Sequence, residues 1–149
     1  MSVPREQVHG NCVAVGEAGI LMRGKSGAGK SDLTLRLIEG GGQLVADDRV
    51  DLVREGDAIY ASSPAALSGL MEVRGLGILP FDYCQRVRLR AVIELQAVEP
   101  ADRLPEQSVT EVMGLNLPCF QIDPGSLSAV IKVTLVSALV TGSIERTDD

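Results

Sequence analysis

The apolar positions of this chain fall into short runs divided by glycines and acidic pairs. His9-Gly10-Asn11-Cys12-Val13-Ala14-Val15 reads as a first strand, Gly16-Glu17-Ala18-Gly19 as a turn, and Ile20-Leu21-Met22 as a buried second strand. Over residues 32–39, Leu33 with Leu37 and Leu35 with Ile38 stand at helical spacings, although the octet also partly alternates. Gly40-Gly41-Gly42 then stops the run as a helix C-cap does. Gln43-Leu44-Val45-Ala46 is a short strand ending on Asp47-Asp48. Val50–Val53 and Ala58–Ala61 flank Arg54-Glu55-Gly56-Asp57 and predict a hairpin. Ser63 as N-cap with Pro64 in the first helical position predicts a short helix from Pro64 to Met71. Val87 to Leu95 begins with clean alternation and is the strongest strand of the chain. Ser126 to Thr141 has the Val and Ile content of a strand but the length of a helix. The preceding Pro124-Gly125 and a capping Ser126 decide for helix. No internal repeat, low-complexity tract or long linker interrupts the series, and the elements sum to an α/β fold.

A length of 149 residues is that of one domain, 1–149, able to bury about 68–70% of its unfolded surface without a covalent staple. With 45% hydrophobic and 23% charged residues the composition is that of a soluble globular protein. The net charge of −6 argues against a nucleic-acid backbone partner, and 3% aromatic content against a base-stacking platform. Cys12, Cys84 and Cys119 are far apart in sequence and form no metal-ligand or disulfide spacing, so reduced core thiols are expected. The N-terminus has no apolar signal segment, and the apolar stretch Leu127–Gly142 carries Lys132 and is too short to span a bilayer. A cytoplasmic protein without a membrane partner is the expectation.

The chemistry begins at Gly24-Lys25-Ser26-Gly27-Ala28-Gly29-Lys30-Ser31, which satisfies GxxxxGK[ST]. With 16 Gly, 3 Lys and 16 Ser plus Thr in 149 residues, some 142 windows give a random match with a probability of roughly 0.4%. The motif also follows an apolar strand and opens a helical pattern, the setting that phosphate binding requires. There, backbone N–H groups and the positive end of the helix dipole face phosphate oxygens. Lys30 would reach the β/γ-phosphates and Ser31 would bind Mg²⁺. A flexible Gly-rich turn is the plain alternative.

Residues 19–48 span 30 positions, the size of one βαβ unit. A right-handed crossover would bring Asp47-Asp48 beside the loop, where an Asp can hold the metal or accept a proton from an attacking hydroxyl. A solvated turn is the competing reading. His9, the single histidine, is by itself more often structural than catalytic. Glu72-Val73-Arg74-Gly75-Leu76-Gly77-Ile78 combines a carboxylate, a guanidinium and two glycines, which suits either a surface ion pair or a loop whose backbone binds closely.

His9-Gly10, the Gly24–Ser31 loop, Val45-Ala46-Asp47-Asp48 and Glu72–Ile78, followed by Asp102-Arg103-Leu104 and Pro124-Gly125, stand in the order seen in the HPr kinase/phosphorylase family. The chain resembles the C-terminal catalytic domain of that family over most of residues 8–141. The resemblance implies a P-loop-containing kinase domain of the HPr kinase/phosphoenolpyruvate carboxykinase-like type, a mixed sheet with flanking helices. It implies ATP-dependent phosphorylation, with Mg²⁺, of a seryl hydroxyl on an HPr-like phosphocarrier protein, regulatory to a phosphotransferase system. Residue by residue, it makes His9, Lys30, Asp48 and Arg103 catalytic, Asp48 being the general base. Ser31 and Glu72 become Mg²⁺ ligands, Gly24 to Ser31 the cradle for the ATP phosphates, and Asp47 and Arg74 supporting residues. A homo-oligomer, a hexamer in the family, is implied as well.

The departures are specific. The family's usual enzymes carry an additional N-terminal domain for which 149 residues leave no room, so a short form without allosteric control through that domain is expected. Where the family places basic residues around Pro124-Gly125, Asp123 and Ser126 stand here, which makes the reverse phosphorylase activity doubtful. Two rival readings are a nucleotide-binding regulatory module without turnover and a small-molecule P-loop kinase.

Overall fold

The computed structural model describes residues 3–25, 27–97 and 108–147. Their strands are β1 (Arg5–His9), β2 (Asn11–Val15), β3 (Ala18–Arg23), β4 (Gln43–Ala46), β5 (Arg49–Glu55), β6 (Ala58–Ser62), β7 (Leu70–Val73), β8 (Gly77–Pro80), β9 (Val87–Leu95), β10 (Ser108–Val112) and β11 (Leu115–Ile122). Two helices accompany them, α1 (Lys30–Glu39) and α2 (Ala129–Val140). The α/β class and the mixed sheet with flanking helices are therefore as expected.

Nine strands form one sheet in the order β1-β5-β6-β9-β3-β2-β4, with β11 also on β9 and β10 on β11. Strands β3, β9 and β11 are parallel, and β2 is antiparallel to both β3 and β4. The carboxyl ends of β3, β4, β9 and β11 consequently point the same way, toward the end of the sheet where open α/β folds gather ligands. The expected βαβ crossover is present with one difference: β2 lies between β3 and β4. Both hydrophobic faces of the central strands are used. Val13, Ile20, Met22, Ala91 and Ile93 pack with Leu33 and Leu37 of α1 and Val133 and Val136 of α2. Cys12, Leu21, Leu89 and Val92 face Val50, Leu52, Ile59 and Val112 of the same sheet, which therefore bends onto itself.

Several elements depart from the expectation. The first strand is two strands, because the chain bends at Gly10: a Cβ there would come within 2.8 Å of the Met22 carbonyl oxygen. Exposed β1 had too polar a sequence to be legible. Residues 64–71 are a single 3₁₀ turn, Ala65–Leu67, followed by β7, and Ser63 donates to the Pro64 carbonyl instead of capping a helix. Glu72–Ile78 is a hairpin, with β7 pairing β8 across Arg74-Gly75-Leu76. Helix α2 starts at Ala129, later than Ser126, because Asp123–Ser128 is taken up by turns in which the Asp123 carboxylate accepts the Gly125 N–H. Cys12 is a buried core thiol, whereas Cys84 and Cys119 are only half-buried; all three are free.

Candidate functional site

The phosphate-loop motif follows β3 and runs into α1, as its mechanism requires. Gly29 forms the N-cap with φ +99°, a conformation that a side chain would strain, and a Cβ there would press on Pro124 at 3.3 Å. Lys30 is the first helical residue and is buried; its Nζ donates to the carbonyls of Gly24 at 2.8 Å and Lys25 at 3.1 Å. An ammonium has three N–H donors, so one remains for an incoming anion. Residues 24, 25 and 27–31 of the motif are described; Ser26 lies outside the described residues. Beside the loop, the carboxyl ends of β9 and β11 border a groove of about 770 Å³ lined by Gly24, Lys25, Glu94, Gln96, Asp123 and Pro124 among others.

Asp47 is the hub on the other side of the loop. Its Oδ1 accepts from Ser31 Oγ at 3.3 Å and from Asn11 Nδ2 at 2.8 Å, and its Oδ2 accepts the Glu72 backbone N–H at 3.1 Å. One carboxylate thus ties together the phosphate loop, β2 and the β7–β8 hairpin. Adjacent Asp48 faces outward with φ +71°, and its Oδ1 lies 3.4 Å from His9 Nδ1. His9 reaches it because β1 pairs with β5 and ends opposite Arg49. Glu72 is on β7, exposed, and Arg74 is exposed in the hairpin turn. Arg103 lies outside the described residues.

The fold therefore gathers His9, Lys30, Ser31, Asp47, Asp48 and Glu72 at one end of the sheet. Two residues of that assembly escaped the sequence reading. Asn11 is 1% exposed and Thr34 is fully buried, and the Asn11 amide donates to the Thr34 hydroxyl at 3.0 Å. The available signal was a polar amide inside an otherwise apolar strand, which is costly unless something binds it.

The Ser31 hydroxyl and the Asp47 carboxylate meet here beside the loop, and Glu72 is tied to Asp47 through its backbone N–H. Mg²⁺ fits such a set, since it is held by one or two carboxylates with phosphate and water oxygens. Among the described residues no group of three His, Cys, Asp or Glu side chains could hold a metal alone.

Residues 2–142 match the model of the HPr serine kinase C-terminal domain. The chain belongs to this family. It is 38% identical over 159 residues to the HPr kinase/phosphorylase of Cupriavidus necator, covering 98% of this chain and 48% of that one. To the HPr kinase/phosphorylase of Chlorobaculum tepidum it is 34% identical over 153 residues, covering 91% and 44%. The chain thus spans about half the length of the curated relatives it matches. Among solved structures it is similar to the Hpr(Ser) kinase/phosphatase from Coxiella burnetii, with a TM-score of 0.76 and 27% identity over 89% of this chain and 88% of that one. In this family member, no described helix is long and apolar enough to cross a membrane.

Proposed function

We propose that residues 1–149 form one catalytic domain that transfers the γ-phosphoryl group of ATP to a seryl hydroxyl of an HPr-like phosphocarrier protein. The observation that carries this reading is the placement of the exposed Asp48–His9 pair next to Asp47, which itself bonds Ser31 of the phosphate loop. Lys30 and the loop N–H groups hold the transferring phosphates. Asp48 accepts the proton of the acceptor hydroxyl, and His9 orients the Asp48 carboxylate. Ser31 and Glu72 would hold Mg²⁺, with Asp47 fixing both. Bound there, the ion would neutralise charge that develops on the phosphates. The groove beside the loop offers room for the nucleoside, with Arg103 and Arg74 as further cations for the transferring group.

A protein acceptor suits the openness of the site. Asp48 is 62% exposed, and the adjoining hairpin presents Leu76 and Ile78 to solvent. Among the described residues nothing closes over the Asp48 side chain, so a serine carried on the acceptor's own backbone can approach it. The test incubates the protein with Mg-ATP and a panel of HPr-type carriers and reads seryl phosphate by mass spectrometry. Phosphate on one serine, absent when that serine is alanine, is expected. Nucleotide binding with no transfer to any carrier would overturn the reading in favour of a regulatory module.

A further inference from the structure

Asn11 sits at the amino end of β2, directly after the Gly10 bend, and faces three partners at once. Its Nδ2 uses both hydrogens, one on Thr34 Oγ1 at 3.0 Å and one on Asp47 Oδ1 at 2.8 Å. Its Oδ1 accepts the Asp48 backbone N–H at 3.1 Å. The partners settle the orientation of the amide, since a carboxylate can only accept and an amide N–H can only donate. Thr34 in turn donates to the Lys30 carbonyl at 2.7 Å. A chain of buried bonds thus runs from the first residue of α1 through Thr34 and Asn11 to both aspartates.

The grip on Asp48 is closed from its other side. The Gly10 N–H donates to the Asp48 carbonyl at 3.0 Å, and the Arg49 N–H to the Asp47 carbonyl at 2.8 Å. Asp48 has φ +71°, a left-handed conformation that aspartate adopts more readily than most non-glycine residues and that its hydrogen-bonded surroundings hold here. Asn11 and Gly10, on either side of the Asp48 peptide, are those surroundings. A hydrophobic residue at position 11 would pack as well in the strand but would leave Asp47, Thr34 and the Asp48 N–H without this partner.

We propose that Asn11 is a positioning residue that locks the Asp47–Asp48 turn to the phosphate-loop helix, holding the base at a set place relative to the phosphates. This rests on the phosphoryl-transfer reading above. Asn11 touches no substrate; it acts through Asp47 and Asp48. Misplacing a reacting group by about 1 Å can cost about 10²-fold in rate, whereas phosphate binding by the loop does not pass through the Asn11 amide.

The test combines a double-mutant cycle with amide exchange. Asn11→Ala, or Asn11→Ser where the alanine variant does not fold, is expected to lower kcat by about 10²-fold and to leave KM for ATP within about threefold. In an Asp48→Asn background the same change is expected to cost no more than about tenfold, because the base it positions is already gone and only its hold on Asp47 is left to lose. Exchange of the Asp48 backbone amide is expected to accelerate by at least about tenfold in the Asn11 variant. An Asn11 variant with wild-type kcat, additive losses in the cycle, or an unchanged Asp48 exchange rate would each overturn the proposal. Those failures are distinct from failure of the parent reading, which shows as a wild-type protein that transfers no phosphate to any carrier.

Discussion

His9 Nδ1 lies 3.4 Å from Asp48 Oδ1, and both side chains are 62% exposed. At that exposure an ion pair contributes little to stability, so the fold does not depend on it. The same pair faces the surface from which a hydroxyl would approach. His9→Ala is therefore expected to change unfolding free energy by no more than about 0.5 kcal/mol while slowing phosphoryl transfer at least about tenfold. Parallel urea melts and transfer assays separate the two; a destabilised variant with undiminished turnover would assign His9 to structure.

The two aspartates are expected to fail differently. Asp48→Asn removes a base from an exposed side chain, so kcat falls by about 10²–10⁴-fold while stability and nucleotide affinity stay near wild type. Asp47→Asn weakens three hydrogen bonds at once and also perturbs Ser31 and Glu72. It is expected to lower stability by about 1–3 kcal/mol and to weaken Mg-ATP binding as well as turnover. Calorimetric titration of Mg-ATP into each variant distinguishes them, and a greater rate loss in a normally stable Asp47 variant would reverse the assignment.

Lys30 carries a dual load. Because its ammonium ties the Gly24 and Lys25 carbonyls together, Lys30→Ala is expected to abolish transfer and also to loosen the loop. The loss of stability should stay near about 1–2 kcal/mol, since the released carbonyls can turn to water. Circular dichroism melts together with a transfer assay check both halves of this expectation; unchanged turnover would remove Lys30 from the phosphate site.

Much of this site was legible because its parts are local. The spacing from Gly24 to Ser31, the strand before it and the helix after it sit within one short stretch, and the Asp47-Asp48 pair ends the next strand. Strand β9 was legible because its buried positions alternate with Arg88 and Arg90 at the start and run on through Ala91-Val92-Ile93. Elements whose form depends on distant partners were not. Strand β1 is polar and becomes a strand only by pairing with β5, while β11 is built on β9 and β10 on β11. The Leu70–Val73 segment has helical company in Pro64 and Ser63, yet its pairing with Gly77–Pro80 prevails. Asn11 was missed for the same reason: its three partners come from α1 and from the turn after β4, far along the chain.

Cys12 is expected to make the fold sensitive to alkali. Burial, followed by the neighbouring Cys84, pushes its thiol pKa far above the ordinary value, so the folded protein retains a proton that the unfolded chain loses near pH 8.5. Stability should therefore be level below about pH 8.5 and fall above it, by up to about 1.4 kcal/mol per pH unit from this group. Cys119, also raised by partial burial and by Glu94 against the opposing effect of Arg23, adds to the same trend. Urea unfolding from pH 7 to 10 is expected to show a shallower decline for Cys12→Ala than for wild type. Parallel curves would show that Cys12 ionises as readily in the fold as out of it. In the native protein at pH 8, a disulfide reagent should label Cys84 and Cys119 well before Cys12.

The reverse reaction is expected to be weak. Phosphorolysis of a seryl phosphate brings inorganic phosphate against another phosphate, so that a P–O bond to the serine breaks as one to the incoming phosphate forms, releasing pyrophosphate. Two unit charges about 4 Å apart repel by roughly 4 kcal/mol at an effective dielectric of about 20, and phosphates carry more charge than that. Cations must offset this repulsion, and arginine suits the task through its planar fork. Beside the phosphate loop, however, the turn after β11 presents Asp123, whose Oδ1 accepts the Gly125 N–H at 2.9 Å, and Glu94 shares the groove. Asp123 there opposes a second anion, while the Glu94 carboxylate is paired with the Arg23 guanidinium. Seryl-phosphorylated carrier with excess phosphate is thus expected to release pyrophosphate at least about tenfold more slowly than the forward rate, and Asp123→Arg is expected to narrow the gap. Phosphorolysis as fast as the forward transfer in the wild-type protein would show that basic residues beside Pro124-Gly125 are not required, the cations Lys25, Lys30, Arg74 and Arg103 sufficing for both anions.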